Sequence, residues 1–385
     1  MKKVNINNVI FYLILVFPIT TILQNISIFS FANKFIVAIL FGALMYCDLY
    51  KKMYKRSLIN FILMIMVYFF AFINTKTNMD INIYFYFAIW MLYYIYLTKN
   101  MELLMKITDD KMKSVKLVII IFNLITVFSM FVKKSYINGY FSPFGCGEHR
   151  FGSCCMLLFA LNILWVKKTN NKKFYIFSII PAIGIAMGGA RTYLVVYLVY
   201  IMCIYYKSCK QKYKFYLCLI PMAIIVYMLV QISPIATKIK DTSTDGYYGF
   251  LATLTSGRSM FWECDLKEFF KLDLFRQFTG NGFDFVYDVN EKYINRRIWA
   301  HNDFINILMN FGYIGLFIYL NVFLNFCKKH LNIKNKIPRI GFYFIWFFNA
   351  FFNMVYTYPL AMLSIPFIAE SLSENEKGGK IDERK

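Results

Sequence analysis

Acidic side chains are scarce in this sequence: 21 Asp and Glu stand against 43 Lys and Arg, and the four types together make up only 17% of 385 residues. A soluble domain of this length needs charge on about a quarter of its residues. With 59% of the chain hydrophobic, and the apolar residues in long blocks rather than at helical or strand spacing, a water-soluble globule is excluded. Histidine is rarer still, at three copies, and the nine cysteines have no metal-type spacing. No ligand set for a structural zinc is present, and no metal or other cofactor is expected. Cys146 and Cys264 both fall on the outward side of the path traced below and are candidates for a bond; isolated thiols are the plainer reading. The first apolar block is too long for a cleavable leader and lacks a small-residue cleavage site, so it reads as an anchor.

What the chain has instead is membrane-length hydrophobic runs. Blocks of about 17–25 apolar residues are what a bilayer core requires. They lie near 9–31, 35–50, 58–73, 81–97, 115–132, 151–166, 174–188, 190–206, 215–232, 303–325, 340–356 and 358–369. The expected fold is all-α, a single polytopic membrane domain over residues 1–385 with about twelve spans. The stretch 174–206 is either a tilted pair or includes a re-entrant piece. With the amino terminus inside, the cytoplasmic side holds 28 of the 43 Lys and Arg, in runs such as KKMYKR (51–56), KKTNNKK (167–173), KSCKQKYK (207–214) and KKHLNIKNKIPR (328–339). The short external connections hold only Lys34, Lys76, Lys133, Lys134, Arg150 and Arg191. Positive-inside bias thus accounts for most of the +22 charge, and no nucleic-acid partner is called for. Both termini face the cytoplasm, with 370–385 as a tail.

One connection breaks the pattern. Residues 233–300 form a large external loop with nine basic and nine acidic side chains. Loops of that length are commonly functional. Chemistry there works outside the cell without ATP, so its energy must arrive inside the substrate. Within it, TSGRSMFWECDLKEFF (255–270) reads as a helix capped by Ser256, with Phe261, Cys264 and Phe269 on one side and Glu263 paired with Lys267. Such a helix is expected to lie along the membrane surface with Trp262 near the interface. Its first turn, carrying Gly257 and Arg258, outlines an anion site. The carboxylates of DTSTD (241–245) and DFVYD (284–288) are spaced too widely for an Asp-x-Asp metal motif and read as turn and surface groups.

Arg191 is a second cation at a costly address. It is the only charged residue in the 33 from Phe174 to Tyr206. A charge at mid-membrane costs at least about 2.5–3.5 kcal/mol, so it normally faces a cavity or partner. Gly188 and Gly189 in MGGARTY permit a tight turn or a broken helix before it. The same external face receives His301, on the doorstep of IWAHNDFINILMNFGYIGLFIYL (298–320), where Asn302 or Asp303 would cap the helix. Gly312 and Gly315 would let a neighbouring helix come close. Two guanidinium forks and an imidazole with an ordinary pKa near 6.5 make a kit for displacing a pyrophosphate: arginines hold the departing diphosphate and histidine takes a proton from the attacking hydroxyl.

The order of these motifs resembles the O-antigen ligase and Wzy-type polysaccharide polymerase superfamily. An arginine at the external end of a mid-chain helix (GGARTY), a small-small-Arg motif in a large external loop (SGRSMFW), a Gly-x-Gly turn (GNGFD, 280–284) and an HN motif opening a glycine-bearing helix (AHNDFINILMNFGYIGL, 300–316) follow one another, so the likeness covers roughly 187–320. SPFGCGEHRFGSCC (142–155) keeps an arginine, Arg150, but lacks the family's Pro-Asn pair. The resemblance implies a GT-C-like, inverting, lipid-linked glycosyltransferase. His301 would be its general base, Arg191 and Arg258 would bind diphosphate, and Asn302, Asp303 and Arg150 would support them. It further implies undecaprenyl-diphosphate-linked oligosaccharides as substrates, membrane lipid and other polysaccharide-assembly proteins as partners, and the bacterial cytoplasmic membrane as location, with the active site outside. A ligase that transfers glycan to another acceptor would use the same residues. A polysaccharide flippase handles the same lipids, but tends to spread charges over many helices lining a cavity and to have short loops. A non-catalytic assembly subunit would tolerate replacement of Arg191 and His301.

Overall fold

A backbone in hydrocarbon has no water to bond, so each apolar run satisfies its own N–H and C=O groups as helix. The computed structural model describes residues 5–50, 55–219, 221, 255 and 257–374. Its helices are α1 (Ile6–Ile22), α2 (Ser27–Tyr50), α3 (Lys55–Asn74), α4 (Ile81–Asp110), α5 (Met112–Met130), α6 (Glu148–Thr169), α7 (Ile179–Gly188) and α8 (Arg191–Ser208). Then come α9 (Arg258–Phe269), α10 (Leu274–Thr279), α11 (Phe285–Ile294), α12 (Asp303–His330), α13 (Lys336–Phe352) and α14 (Pro359–Leu372). A two-residue hairpin, Tyr136–Ile137 against Tyr140–Phe141, is the only sheet among the described residues.

Six of these helices, α2 to α6 and α12, are long and apolar enough to cross a membrane; α1 and α14 are apolar but shorter. The protein is all-α and membrane-embedded, with six helices of spanning length and composition among the described residues. The run read as 9–31 stops at Ile22 because the side chains of Gln24 and Asn25 leave the helix to donate to the carbonyls of Cys146 and Phe144, each at 2.9 Å. The run 174–206 is broken. A 3-10 segment (Lys172–Ser178) leads into the ten-residue α7, which ends at Gly189 with φ +66°, and α8 starts at Arg191. Of the expected span 215–232, residues 212–219 are helical and most of the remainder lies outside the described residues.

The most enclosed helix is α6, with 89% of its apolar window buried, followed by α4 at 61%; α2 and α3, at 28%, leave Ile28, Phe31, Phe35, Ile62 and Phe69 on the lipid side. The interior of α4 is aromatic rather than aliphatic. Trp90 Nε1 donates to the Tyr319 carbonyl at 3.1 Å, the Tyr93 and Tyr94 hydroxyls reach the carbonyls of Leu363 and Met362 at 3.4 Å, and the Tyr96 hydroxyl bonds Asn7 Oδ1 at 3.0 Å. Rings with polar tips bury large area while satisfying the tip. They also stitch α4 to α12, α14 and α1, which fixes where the ends of those helices meet.

The described part of the long loop, 257–300, folds onto that frame. Asp284 Oδ2 accepts from the Lys76 and Thr77 N–H groups, both at 2.8 Å, and from the Thr77 hydroxyl at 3.0 Å. Asp288 pairs with Arg297 at 3.0 Å. The two DFVYD carboxylates are therefore fastenings, and Asp284, expected as a turn or surface group, is buried; DTSTD lies outside the described residues. All nine cysteines are free, Cys146 and Cys264 included.

Candidate functional site

The amino-terminal ends of α6, α8, α9, α12 and α14 come to one end of the bundle. Gly188 allows the first junction: a Cβ there would stand 2.7 Å from the Phe141 carbonyl oxygen and 3.6 Å from Glu148 Cβ. This close approach seats the start of α8 against the start of α6. The His149 ring lies 6.4 Å from that of Tyr193, in the first turn of α8, and 6.1 Å from that of Tyr358, just before α14. Helix amino termini direct free N–H groups and partial positive charge outward, so this end of the bundle favours an anion.

Arg258 begins α9. Its guanidinium donates to the carbonyl of Phe352, the last residue of α13, in a very short contact. That leaves other donors of the fork available. Ser256 lies outside the described residues; Gly257, at φ +79°, holds the cap position, and the Thr255 hydroxyl accepts from the Ser259 N–H at 3.1 Å. Burial lowers the Arg258 pKa first, with Arg191 adding repulsion while Tyr358 and Glu148 oppose it. The two arginines thus act on one another through a shared region that contains a single nearby carboxylate.

His301 joins them. Burial drives its pKa well below 6.5, the charges of Arg258 and His149 push the same way, and Glu148 opposes them. The imidazole is therefore neutral at pH 7. Its Nδ1 has no hydrogen-bond partner among the described residues. The backbone at His301 is left-handed, φ +52°, a region costly for most side chains but one where His and Asn are enriched. Fastenings on each side hold it there. Trp262 Nε1 donates to the Ala300 carbonyl at 2.6 Å, and Asn302 caps α12 by accepting from the Ile305 N–H at 3.1 Å.

Of the expected residues, Arg258 thus links the other two: it is within electrostatic reach of Arg191 and of His301, and shares Glu148 with the histidine. Arg150 stands apart from them: it is exposed on the first turn of α6 and its charge reaches Tyr86 and Tyr358. Asn302 is a helix cap. Asp303 is buried scaffolding, accepting from the Tyr319 hydroxyl at 2.6 Å and from the Val355 and Tyr356 N–H groups at 2.7 and 3.4 Å. It ties α12 to the connection that supplies Phe352 and Tyr358 to the site.

The helix expected over 255–270 is present as α9. α9 packs into a cluster in which Phe269 meets Val286, Val289 and Met309, with Trp262 against its edge. Trp262 is drawn inward because the Ala300 carbonyl offers its indole N–H a partner. Glu148 and Tyr358 were not foreseen. Glu148 sits in a motif read for its arginine, and nothing distinguishes Tyr358 among 30 tyrosines until α14 folds back. Among the described residues no group of three or more His, Cys, Asp or Glu is placed to hold a metal ion. Compared with known proteins, the chain matches no family model and no curated protein.

Proposed function

We propose that this chain is a polysaccharide polymerase. In this reading it joins undecaprenyl-diphosphate-linked oligosaccharide repeat units at the outer face of a bacterial cytoplasmic membrane, on a twelve-span, GT-C-like frame with both termini inside. The observation that supports the proposal is that Arg258, at a junction of helix amino termini, is within electrostatic reach of both Arg191 and His301. Such a junction suits a diphosphate, and a neutral imidazole beside it suits a proton acceptor.

The step follows from those parts. A hydroxyl at the non-reducing end of one repeat unit attacks the anomeric carbon of the donor chain. The new C–O bond forms as the bond to the diphosphate breaks, with inversion at the sugar. The departing oxygen keeps the electron pair, and undecaprenyl diphosphate leaves held by Arg191 and Arg258. His301 takes the hydroxyl proton. The free imidazole is a weak base because it is buried near a cation. A diphosphate seated between the arginines offsets that charge and raises the histidine's affinity for the proton, so donor binding makes the base.

His301→Asn is the informative variant, because asparagine tolerates a left-handed backbone and preserves the local fold. Purified variant supplied with a lipid-linked repeat unit is expected to lose polymer by about 10²–10⁴-fold, the usual contribution of general base catalysis. In the wild type the acid limb of kcat/KM should fall below pH 6.5, since the base is unprotonated down to its lowered pKa. Near-normal polymer from the variant would remove His301 from the chemistry.

A further inference from the structure

A cavity of about 290 Å³ adjoins the cation junction. Tyr358 belongs to both: it borders the cavity, and its hydroxyl lies within electrostatic reach of Arg258. Arg191, Arg258 and His301 do not line the cavity, so it is a second space with a shared wall. Its other polar-tipped aromatic walls are Tyr86, Tyr287 and Trp299, the last two packed at 4.9 Å between ring centroids. These rings come from α4, α11 and the approach to His301, three segments distant in sequence.

Between the rings stand polar groups with spare bonding capacity. The Asn82 amide, the Arg150 guanidinium and the Tyr86 hydroxyl make no hydrogen bond to other described residues. The Thr357 hydroxyl, at the border of the cavity, is buried and has no partner among them either. Of these four only the Thr357 hydroxyl is buried; an unmet buried group costs about 1–3 kcal/mol, so it is retained where a ligand or water satisfies it, while the other three line the open cavity. An acyl chain cannot supply hydrogen bonds, and a bare phosphate gains nothing from flat rings. A pyranose has both faces of the required chemistry, C–H groups for the rings and a rim of hydroxyls for amide and guanidinium. The volume sits at the lower edge of the roughly 300–1,000 Å³ typical of small-molecule sites, which limits the occupant to one or two sugar rings.

We propose that this cavity is the acceptor subsite: it grips the terminal one or two sugars of the incoming repeat unit and presents a hydroxyl at the Tyr358 wall, on the side of Arg258. Arg150 is thereby a saccharide-binding residue rather than a third diphosphate ligand. The assignment rests on the polymerase reading, but it concerns binding and can be tested separately from catalysis.

The probe is the free oligosaccharide obtained by mild acid release from the lipid-linked repeat unit, mixed with detergent-purified protein. Binding is read by saturation-transfer NMR and the ladder assay is run in parallel. Wild type should saturate the sugar protons. Trp299→Leu and Asn82→Ala should each weaken binding by about five- to tenfold, the loss expected for one stacking or hydrogen-bonding partner. His301→Asn should bind as wild type. Two cavity variants guard against one that merely misfolds. No transfer in the wild type, or wild-type binding by both cavity variants, overturns the proposal. Binding lost as stated in a protein that makes no ladder leaves the subsite standing and removes the polymerase reading. A normal ladder from both cavity variants does the reverse.

Discussion

Asp265 poses the sharpest question at the residue scale. It lies fully buried on α9, neither carboxyl oxygen has a hydrogen-bond partner among the described residues, and burial raises its pKa from 3.8 to about 8. The charged form is disfavoured in the fold, so its stability is fully present below pH 3.8 and is lost progressively as pH rises towards 8. The total is on the order of a few kcal/mol. Thermal unfolding in detergent should therefore show wild type losing stability between pH 5 and 8 relative to Asp265→Asn. Parallel curves for the two proteins would place the carboxylate in contact with water. This residue was illegible in the sequence, where nothing sets it apart from the other acids of 255–270. The arginines and His301 were legible because a lone charge or imidazole at a membrane boundary is costly and needs a reason. The anchoring by Asp303 was illegible for the opposite cause: its partners, Tyr319 and the turn after α13, are not adjacent to it in the chain.

Among the elements, α12 shows how glycine shapes the site. Gly312 interrupts it at φ +65° and ψ −166°, and a Cβ there would sit 2.5 Å from the Gln277 carbonyl oxygen. Gly280 answers from the other side, where a Cβ would lie 2.1 Å from the Asn310 carbonyl oxygen. Backbone thus meets backbone, and α10 locks the external loop to the helix that His301 precedes. The expected close approach at Gly312 is real, whereas Gly315 accommodates α12's own Phe311, at 2.3 Å from its added Cβ. Gly312→Ala combines a clash with backbone strain and should cost about 1–3 kcal/mol, lowering the detergent melting temperature and the polymer yield together. An unchanged melting temperature would mean that the loop is not anchored there. The sequence located helices well where apolar blocks were continuous, as in α3 to α6. It overran at α1 and could not see the break at Gly189 as more than a permission, because end points depend on side chains such as Gln24 finding distant carbonyls.

Across the whole molecule, the division of labour is between a greasy, aromatic frame and one polar end. Helices α2 to α6 and α12 give the membrane-embedded body. The loop helices α9 to α11 are clamped over it through Asp284 and the α3–α4 connection, and the junction of helix amino termini gathers the cations. The central claim is that Arg191, Arg258 and His301 act on one lipid diphosphate. It is tested most directly by incubating purified protein with a defined lipid-linked repeat unit and measuring both products. The account predicts a ladder of polymer with equimolar release of undecaprenyl diphosphate. It also predicts loss of at least about tenfold in both for Arg258→Lys, which keeps the charge and loses the fork. Equal activity in that variant, or no ladder from wild type, would contradict it.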